Sequence, residues 1–294
     1  MNTDEFELLL ADRLGVIITA NEKYDLEHNA YLSFSGGKDS AVLHRLIDLA
    51  LPGNRIPRVF INTGIEYNLI RAYVHSIATL DSRFEIIRPS KPIMRMLEED
   101  GYPFKSKEHS MKIHDYKSGL RSQYIQKYMT GEHFACPKKL RYQFNDDFTL
   151  NISNKCCYKL KKEPAKLWEK ENHRTIVMTG MQRSEGGLRA NIKGCILTDR
   201  KGKVIKFHPL LVVNDEWEDM FIEKYKIELC PLYYPPYNFK RTGCKGCPYA
   251  LDLQRNLDIM EEFFPSEKAQ CETIWKPVYD EYRRIGYRLR KAKQ

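Results

Sequence analysis

Two groups of residues in this 294-residue chain have the types and spacing to do chemistry. The first is Ser33-Phe34-Ser35-Gly36-Gly37-Lys38-Asp39-Ser40. Gly36 and Gly37 let the main chain approach an anion, Lys38 can neutralise charge that develops on it, and Ser35 and Ser40 offer hydroxyl donors. The Gly-x4-Gly-Lys-Ser/Thr spacing of a Walker A loop is absent. A plain glycine turn capped by serine is the alternative, and the strand before it and helix after it argue against that reading.

The second group is drawn from eight cysteines. In Cys244-Lys-Gly-Cys247, two intervening residues allow both thiolates to reach one centre, Gly243 and Gly246 permit the turn, and Arg241 and Lys245 offset the sulfur charge. Cys156 and Cys157 are neighbours in a basic run, and adjacent cysteines rarely form a comfortable disulfide. By spacing alone, four such thiolates suit zinc and a 4Fe-4S cluster equally. Cys136, Cys230 and Cys271 read as buried thiols, His208 as structural, and His44 as an exposed helical histidine rather than a phosphate contact. No Ser-His-Asp or His-Glu-x-x-His pattern occurs.

The phosphate-type loop needs a strand before it and a helix behind it. Residues 30–34 read as that strand, and 38–50 as the helix, with an apolar stripe at Val42, Leu43, Leu46, Ile47 and Leu49. Further strands at 57–62, 84–87 and 175–180 alternate with helices at 69–80 and 93–99, and residues 4–22 form an amphipathic helix. This alternation predicts an α/β fold with a parallel sheet and helices on both faces. Residues 101–172 read as a polar insertion, helical in part over 155–170 with a break at Pro164. Asn214 caps a helix over 214–226. Residues 230–250 are irregular, and 274–293 are mostly helical with a basic end. The expected organisation is a nucleotide-binding domain over 1–228 and a cysteine-loop and helical region over 229–294.

The chain is 42% hydrophobic and 30% charged, which supports a real core. A net charge of +9 favours an anionic partner without naming it. No stretch approaches the roughly 18 apolar residues of a membrane helix, and acids stand where a signal peptide has basic residues. A cytoplasmic setting without a membrane partner follows, in which clustered cysteines hold metal or do redox work. Tyr233, Tyr234 and Tyr237 beside Lys240 and Arg241 could stack bases or pack around the cysteine loop.

The Ser35–Ser40 segment resembles the PP-loop of the ATP pyrophosphatase superfamily, whose members cleave ATP between the α and β phosphates. Val59-Phe-Ile-Asn-Thr-Gly-Ile-Glu-Tyr67 and Thr179-Gly-Met-Gln-Arg-Ser-Glu-Gly-Gly-Leu-Arg189 resemble motifs of its phosphoadenosine phosphosulfate reductase family. The resemblance implies a PP-loop (adenine nucleotide alpha hydrolase-like) sheet with a cysteine-rich C-terminal subdomain. It implies nucleotide contacts from Ser33, Ser35, Gly36, Gly37, Lys38, Asp39, Ser40, Thr63, Gly64 and Glu66. It also implies catalytic roles for Lys38, Asp39, Arg183 and Arg189. The tandem cysteines followed by Arg-Thr-Gly-Cys-x-x-Cys-Pro resemble iron-sulfur members from phage and mobile elements, so Cys156, Cys157, Cys244 and Cys247 are the implied 4Fe-4S ligands. Zinc is the alternative metal, and Cys195 competes with Cys156.

Three features depart from that family: Asn62 replaces Asp, Gln182 replaces the first Arg of its segment, and Ser35–Ser40 is the intact, ATP-cleaving form of the loop where reductases resemble degraded versions of it. The Glu-Cys-Gly-x-His tail of true reductases also has no counterpart around Cys271. The resulting expectation is an ATP- and Mg2+-dependent adenylating enzyme coupled to sulfur transfer. Its acceptor would be DNA, tRNA or a small metabolite, and its sulfur donor a protein such as a cysteine desulfurase. The rivals are a sulfonucleotide reductase using Cys271 or Cys195, and a nucleotide- or nucleic-acid-binding module with structural zinc.

Overall fold

A computed structural model describes residues 1–131 and 135–291. The strands are β1 (Ala30–Ser33), β2 (Arg58–Ile61), β3 (Phe84–Ile87), β4 (Ile176–Met178), β5 (Ile196–Thr198) and β6 (Val204–Phe207). The helices are α1 (Thr3–Tyr24), α2 (Leu26–Asn29), α3 (Lys38–Ala50), α4 (Asn68–Leu80), α5 (Ile93–Asp100) and α6 (Lys107–Lys117). They continue with α7 (Gln123–Thr130), α8 (Glu163–Glu171), α9 (Asp215–Tyr225), α10 (Leu253–Phe263), α11 (Pro265–Ile274) and α12 (Lys276–Ile285). Two compact units divide the chain: 1–62, 68–88 and 164–242 form a sheet unit, and 63–67, 89–163 and 243–294 form a helical unit.

In the sheet unit the strand order is β3-β2-β1-β4-β6-β5, parallel except for the β5/β6 edge. The fold is thus α/β with a mostly parallel sheet flanked by helices. Short apolar strands suit a sheet covered on both faces: Tyr31 and Val59 pack with Trp168 of α8. Chain order reverses between β1 and β4, so the loops leaving their carboxyl ends border one crevice, the usual ligand position in an open α/β sheet. Gly180, just after β4, comes so close to α3 that a Cβ there would lie 2.6 Å from the Asp39 carbonyl oxygen. Gly36 has φ +74° in the loop after β1, a conformation that favours glycine.

The edge strand β5 and its neighbour β6 are too short and polar to announce themselves by periodicity. The first turn of α9 follows its expected cap, with Asn214 Oδ1 accepting the Trp217 N–H at 2.9 Å. His44 differs from expectation. Arg58 Nε donates to its Nδ1 at 3.1 Å and its ring meets the Phe84 ring edge-on at 5.4 Å between centroids. Partial burial, helped by Arg58, pulls its pKa down to about 4, so it is a neutral, half-buried histidine with 21% of its side chain exposed.

The helical unit contains α5, α6, α7, α10, α11 and α12. Within the stretch expected to lack a period, Ser106 and Ser122 cap α6 and α7 through the His109 and Ile125 N–H groups. The expected break at Pro164 is a π turn over Tyr158–Lys162, which takes up the misfit immediately before α8. The C-terminal helix ends earlier than expected, at Ile285, where Gly286 adopts φ +61°; Lys293 lies outside the described residues. No helix among the described residues is long and apolar enough to cross a membrane.

Candidate functional site

The phosphate-type loop sits where β1 feeds α3. Ser40 Oγ donates to the Gly37 carbonyl at 2.8 Å and accepts the Ser35 N–H at 3.2 Å, which ties the loop into one shape. Ser35 Oγ accepts the Gly37 N–H at 3.3 Å. Gly37, the N-cap of α3, has no side chain to cap the helix, so the first-turn N–H groups lack a local side-chain partner. Beside them opens a cavity of about 580 Å³ whose wall includes Lys38, Asp39, Gln182, Glu185, Asp219 and Arg241. A volume of that size suits a nucleotide-scale ligand.

The charges around this cavity are interlocked. Lys38 Nζ lies 3.4 Å from Glu218 Oε2, 3.4 Å from Asp219 Oδ1 and 3.7 Å from Asp215 Oδ1, all on the first turns of α9. Burial pulls the lysine pKa down, but the three carboxylates outweigh it and hold the ammonium above its ordinary range. Glu218 is fully buried, and among the described residues neither of its oxygens accepts a hydrogen bond. Burial first, and Asp39 second, push it up to about 8 against the opposing pull of Lys38. Asp39 is itself raised by burial and by Glu185, while Lys38 and Arg241 oppose the shift.

The two expected arginines are engaged elsewhere in this unit. Arg183 Nη2 donates to the Ile192 carbonyl at 2.8 Å. Arg189 pairs with Glu185, and Arg241 Nη1 binds the same carboxylate at 2.7 Å. Arg241 and Lys240, rather than Arg183 and Arg189, lie on the cavity wall. Ser33 ends β1 in register with Val59. Sequence reasoning singled out neither Glu218 nor Asp219; the Asn-capped acidic turn was visible, but its proximity to Lys38 depends on α9 packing beside α3.

In the helical unit, Thr63 and Glu66 close on one another. The Thr63 N–H and Oγ1 donate to the two Glu66 oxygens at 2.9 and 2.7 Å, with Gly64 at φ +81° between them. This unit also holds Cys156, Cys157, Cys244 and Cys247. Burial raises the Cys156 thiol, reinforced by Cys157, Cys244 and Cys247. Cys247 is pushed up to about 12 by burial and then by Cys244. The cation they feel is Lys161, which Cys244, Glu66 and Cys157 hold protonated against burial. Lys245, expected to offset sulfur charge, is instead buried against Glu267 at 2.9 Å. Among the described residues, no three His, Cys, Asp or Glu side chains converge so as to hold a metal ion.

The remaining cysteines have other surroundings. Cys195, at the start of β5 in the sheet unit, has Arg13 Nη1 3.4 Å from its Sγ. Cys271 is fully buried under the cysteine turn, where a Cβ on Gly246 would lie 2.8 Å from its Sγ. Burial pushes its pKa up to about 12. Cys136 and Cys230 are buried, and His208 is buried with Nδ1 2.7 Å from Thr179 Oγ1.

With this geometry in hand, comparison with known proteins is informative. Residues 29–134 and 125–250 match the profile of the phosphoadenosine phosphosulfate reductase domain. No curated protein matches the chain significantly. Among solved structures, the phosphoadenylyl-sulfate reductase of Candida auris is similar at 16% identity and TM-score 0.47, over 83% of this chain and 96% of that one. The FMN adenylyltransferase of Candida glabrata is similar at 14% identity and TM-score 0.49, over 82% of this chain but only 62% of that one. The NH3-dependent NAD synthetase of Campylobacter jejuni is similar at 12% identity and TM-score 0.40, over 95% and 96%.

Proposed function

The chain belongs to the phosphoadenosine phosphosulfate reductase domain family, and from that premise we propose that it is an ATP-dependent adenylating enzyme coupled to sulfur transfer. The observation that carries the reading is the intact Ser-Gly-Gly-Lys-Asp-Ser loop opening on a 580 Å³ cavity at the sheet's switch point. In this reading the loop amides bind the triphosphate and Mg2+ shares its charge. An acceptor oxygen attacks the α phosphorus, the bond to the β-phosphate oxygen breaks, and pyrophosphate leaves. Lys38 stabilises the charge that grows on the leaving group. Asp39 joins Lys38 in the catalytic set at the cavity wall; Arg183 and Arg189 would join it only by releasing the Ile192 carbonyl and Glu185.

Cys156, Cys157, Cys244 and Cys247 are the proposed ligands of a 4Fe-4S cluster. The four thiols influence one another electrostatically, and their tandem and Cys-x-x-Cys spacing resembles that of iron-sulfur members of the family. A bound cluster would supply iron able to hold the transferred sulfur. DNA, tRNA or a small metabolite is the acceptor class, with a sulfur-donor protein as partner and the cytoplasm as the setting. A buried Cys271 thiol raised to about 12 is protonated at neutral pH, which speaks against its serving as a reductase nucleophile.

Replacing Lys38 by Ala is expected to lower ATP-dependent pyrophosphate release at least about 100-fold while leaving bound iron unchanged. Retained release would overturn the assignment. Release of sulfite from adenylyl sulfate instead would favour the reductase reading.

A further inference from the structure

We propose that Tyr233 is an internal occupant of the phosphate seat, a plug whose hydroxyl holds the loop amide that an incoming phosphate takes over. The inference rests on the phosphate-loop reading above and adds a regulatory contact to that site. The N–H of Lys38, first residue of α3, donates to Tyr233 Oη at 3.1 Å across 195 residues of sequence. Helices that bind no anion usually cap this end with a neighbouring serine, threonine or aspartate. Here the N-cap is Gly37, which offers no side chain, and the cap arrives from a distant segment.

The neighbouring contacts fit a plug. Tyr233 Oη lies 2.8 Å from Thr242 Oγ1. A Cβ placed on Gly37 would sit 3.1 Å from the tyrosine oxygen and 3.5 Å from the threonine oxygen. Both hydroxyls thus rest on the loop at contact distance, and Tyr233 forms part of the cavity wall. The other anion-binding donor of the loop is occupied too, since the Lys38 ammonium is held among Asp215, Glu218 and Asp219. Protein oxygens therefore engage both the Lys38 N–H and its ammonium.

The exchange has a clear direction. A phosphate oxygen accepts the same N–H as a charge-assisted bond, which is stronger than one to a neutral hydroxyl. Tyr233 has a second partner in Thr242 Oγ1 at 2.8 Å, so its hydroxyl need not lose every bond on displacement. Removing the hydroxyl should spare the phosphate the cost of evicting it.

Calorimetric titration of the full chain with inorganic pyrophosphate and Mg2+ tests this. Tyr233→Phe should bind about 2–10-fold more tightly, the worth of one hydrogen bond. Hydrogen exchange of residues 231–242 in the wild type should speed up on pyrophosphate binding, a readout independent of any variant's folding. Unchanged or weaker binding by Tyr233→Phe, or exchange in 231–242 that slows or stays the same, would overturn the plug. Lys38→Ala binding pyrophosphate as tightly as the wild type would instead overturn the phosphate-loop reading itself, and the plug with it.

Discussion

Glu218 is the side chain whose environment is least like that of an ordinary surface carboxylate. It is faced by Lys38 and Asp39 from α3 and Gln182 after β4, and burial holds its pKa near 8. A raised carboxyl favours the folded state most strongly below its unfolded value near 4.5, and that contribution is lost as pH rises through about 8. Thermal denaturation between pH 5 and 9 should therefore show stability falling with pH, and Glu218→Gln should flatten the slope. An identical slope in the variant would count against the buried-acid account. This residue also marks a limit of sequence reading. Asp215, Glu216, Glu218 and Asp219 read as ordinary helix-start acids, and nothing local distinguishes the one that turns inward.

At the scale of elements, the sheet was legible from hydrophobic runs wherever a strand is buried, as in β1, β2, β3 and β4. The loop after β1 was legible because its glycines, lysine and serines are contiguous. The antiparallel β5/β6 edge and helices α6 and α7 were not, because partial burial leaves mixed polar patterns; Ser106 and Ser122 were the only local signals. Two substitutions test how these elements meet. Gly180→Ala should cost about 1–3 kcal/mol by overpacking against the Asp39 carbonyl, with pyrophosphate release falling in step. Chemical denaturation reads the first effect directly. Asn214→Ala should cost about 1 kcal/mol through loss of the α9 cap, and a denaturation midpoint equal to wild type would contradict it.

Across the whole molecule, positive charge is unevenly distributed. The helical unit has 25 Lys and Arg against 18 Asp and Glu, whereas the sheet unit has 23 against 21. The surplus thus accompanies the cysteines more than the phosphate loop, whose cavity is rich in carboxylates. A cluster of thiolates would use part of it, since each buried thiol here resists ionisation until a metal replaces its proton. Anaerobic purification followed by iron, sulfide and zinc analysis should find about four irons and four sulfides per chain. Cys244→Ser with Cys247→Ser should lose them while pyrophosphate binding persists. Stoichiometric zinc without sulfide would replace the cluster with a structural metal.

The sequence by itself determined the chemistry that was local. Contiguous residues specify a phosphate loop, and a two-residue gap specifies a pair of thiols, because both depend on backbone geometry over a few bonds. Tertiary structure decided every partnership formed across long separations. It placed Lys38 among the carboxylates of α9 and Tyr233 on the Lys38 amide. It gave Arg241 to Glu185 and turned His44 onto Arg58 and Phe84. Those choices depend on which elements share a crevice or a core, and chain topology sets that where spacing along the sequence cannot.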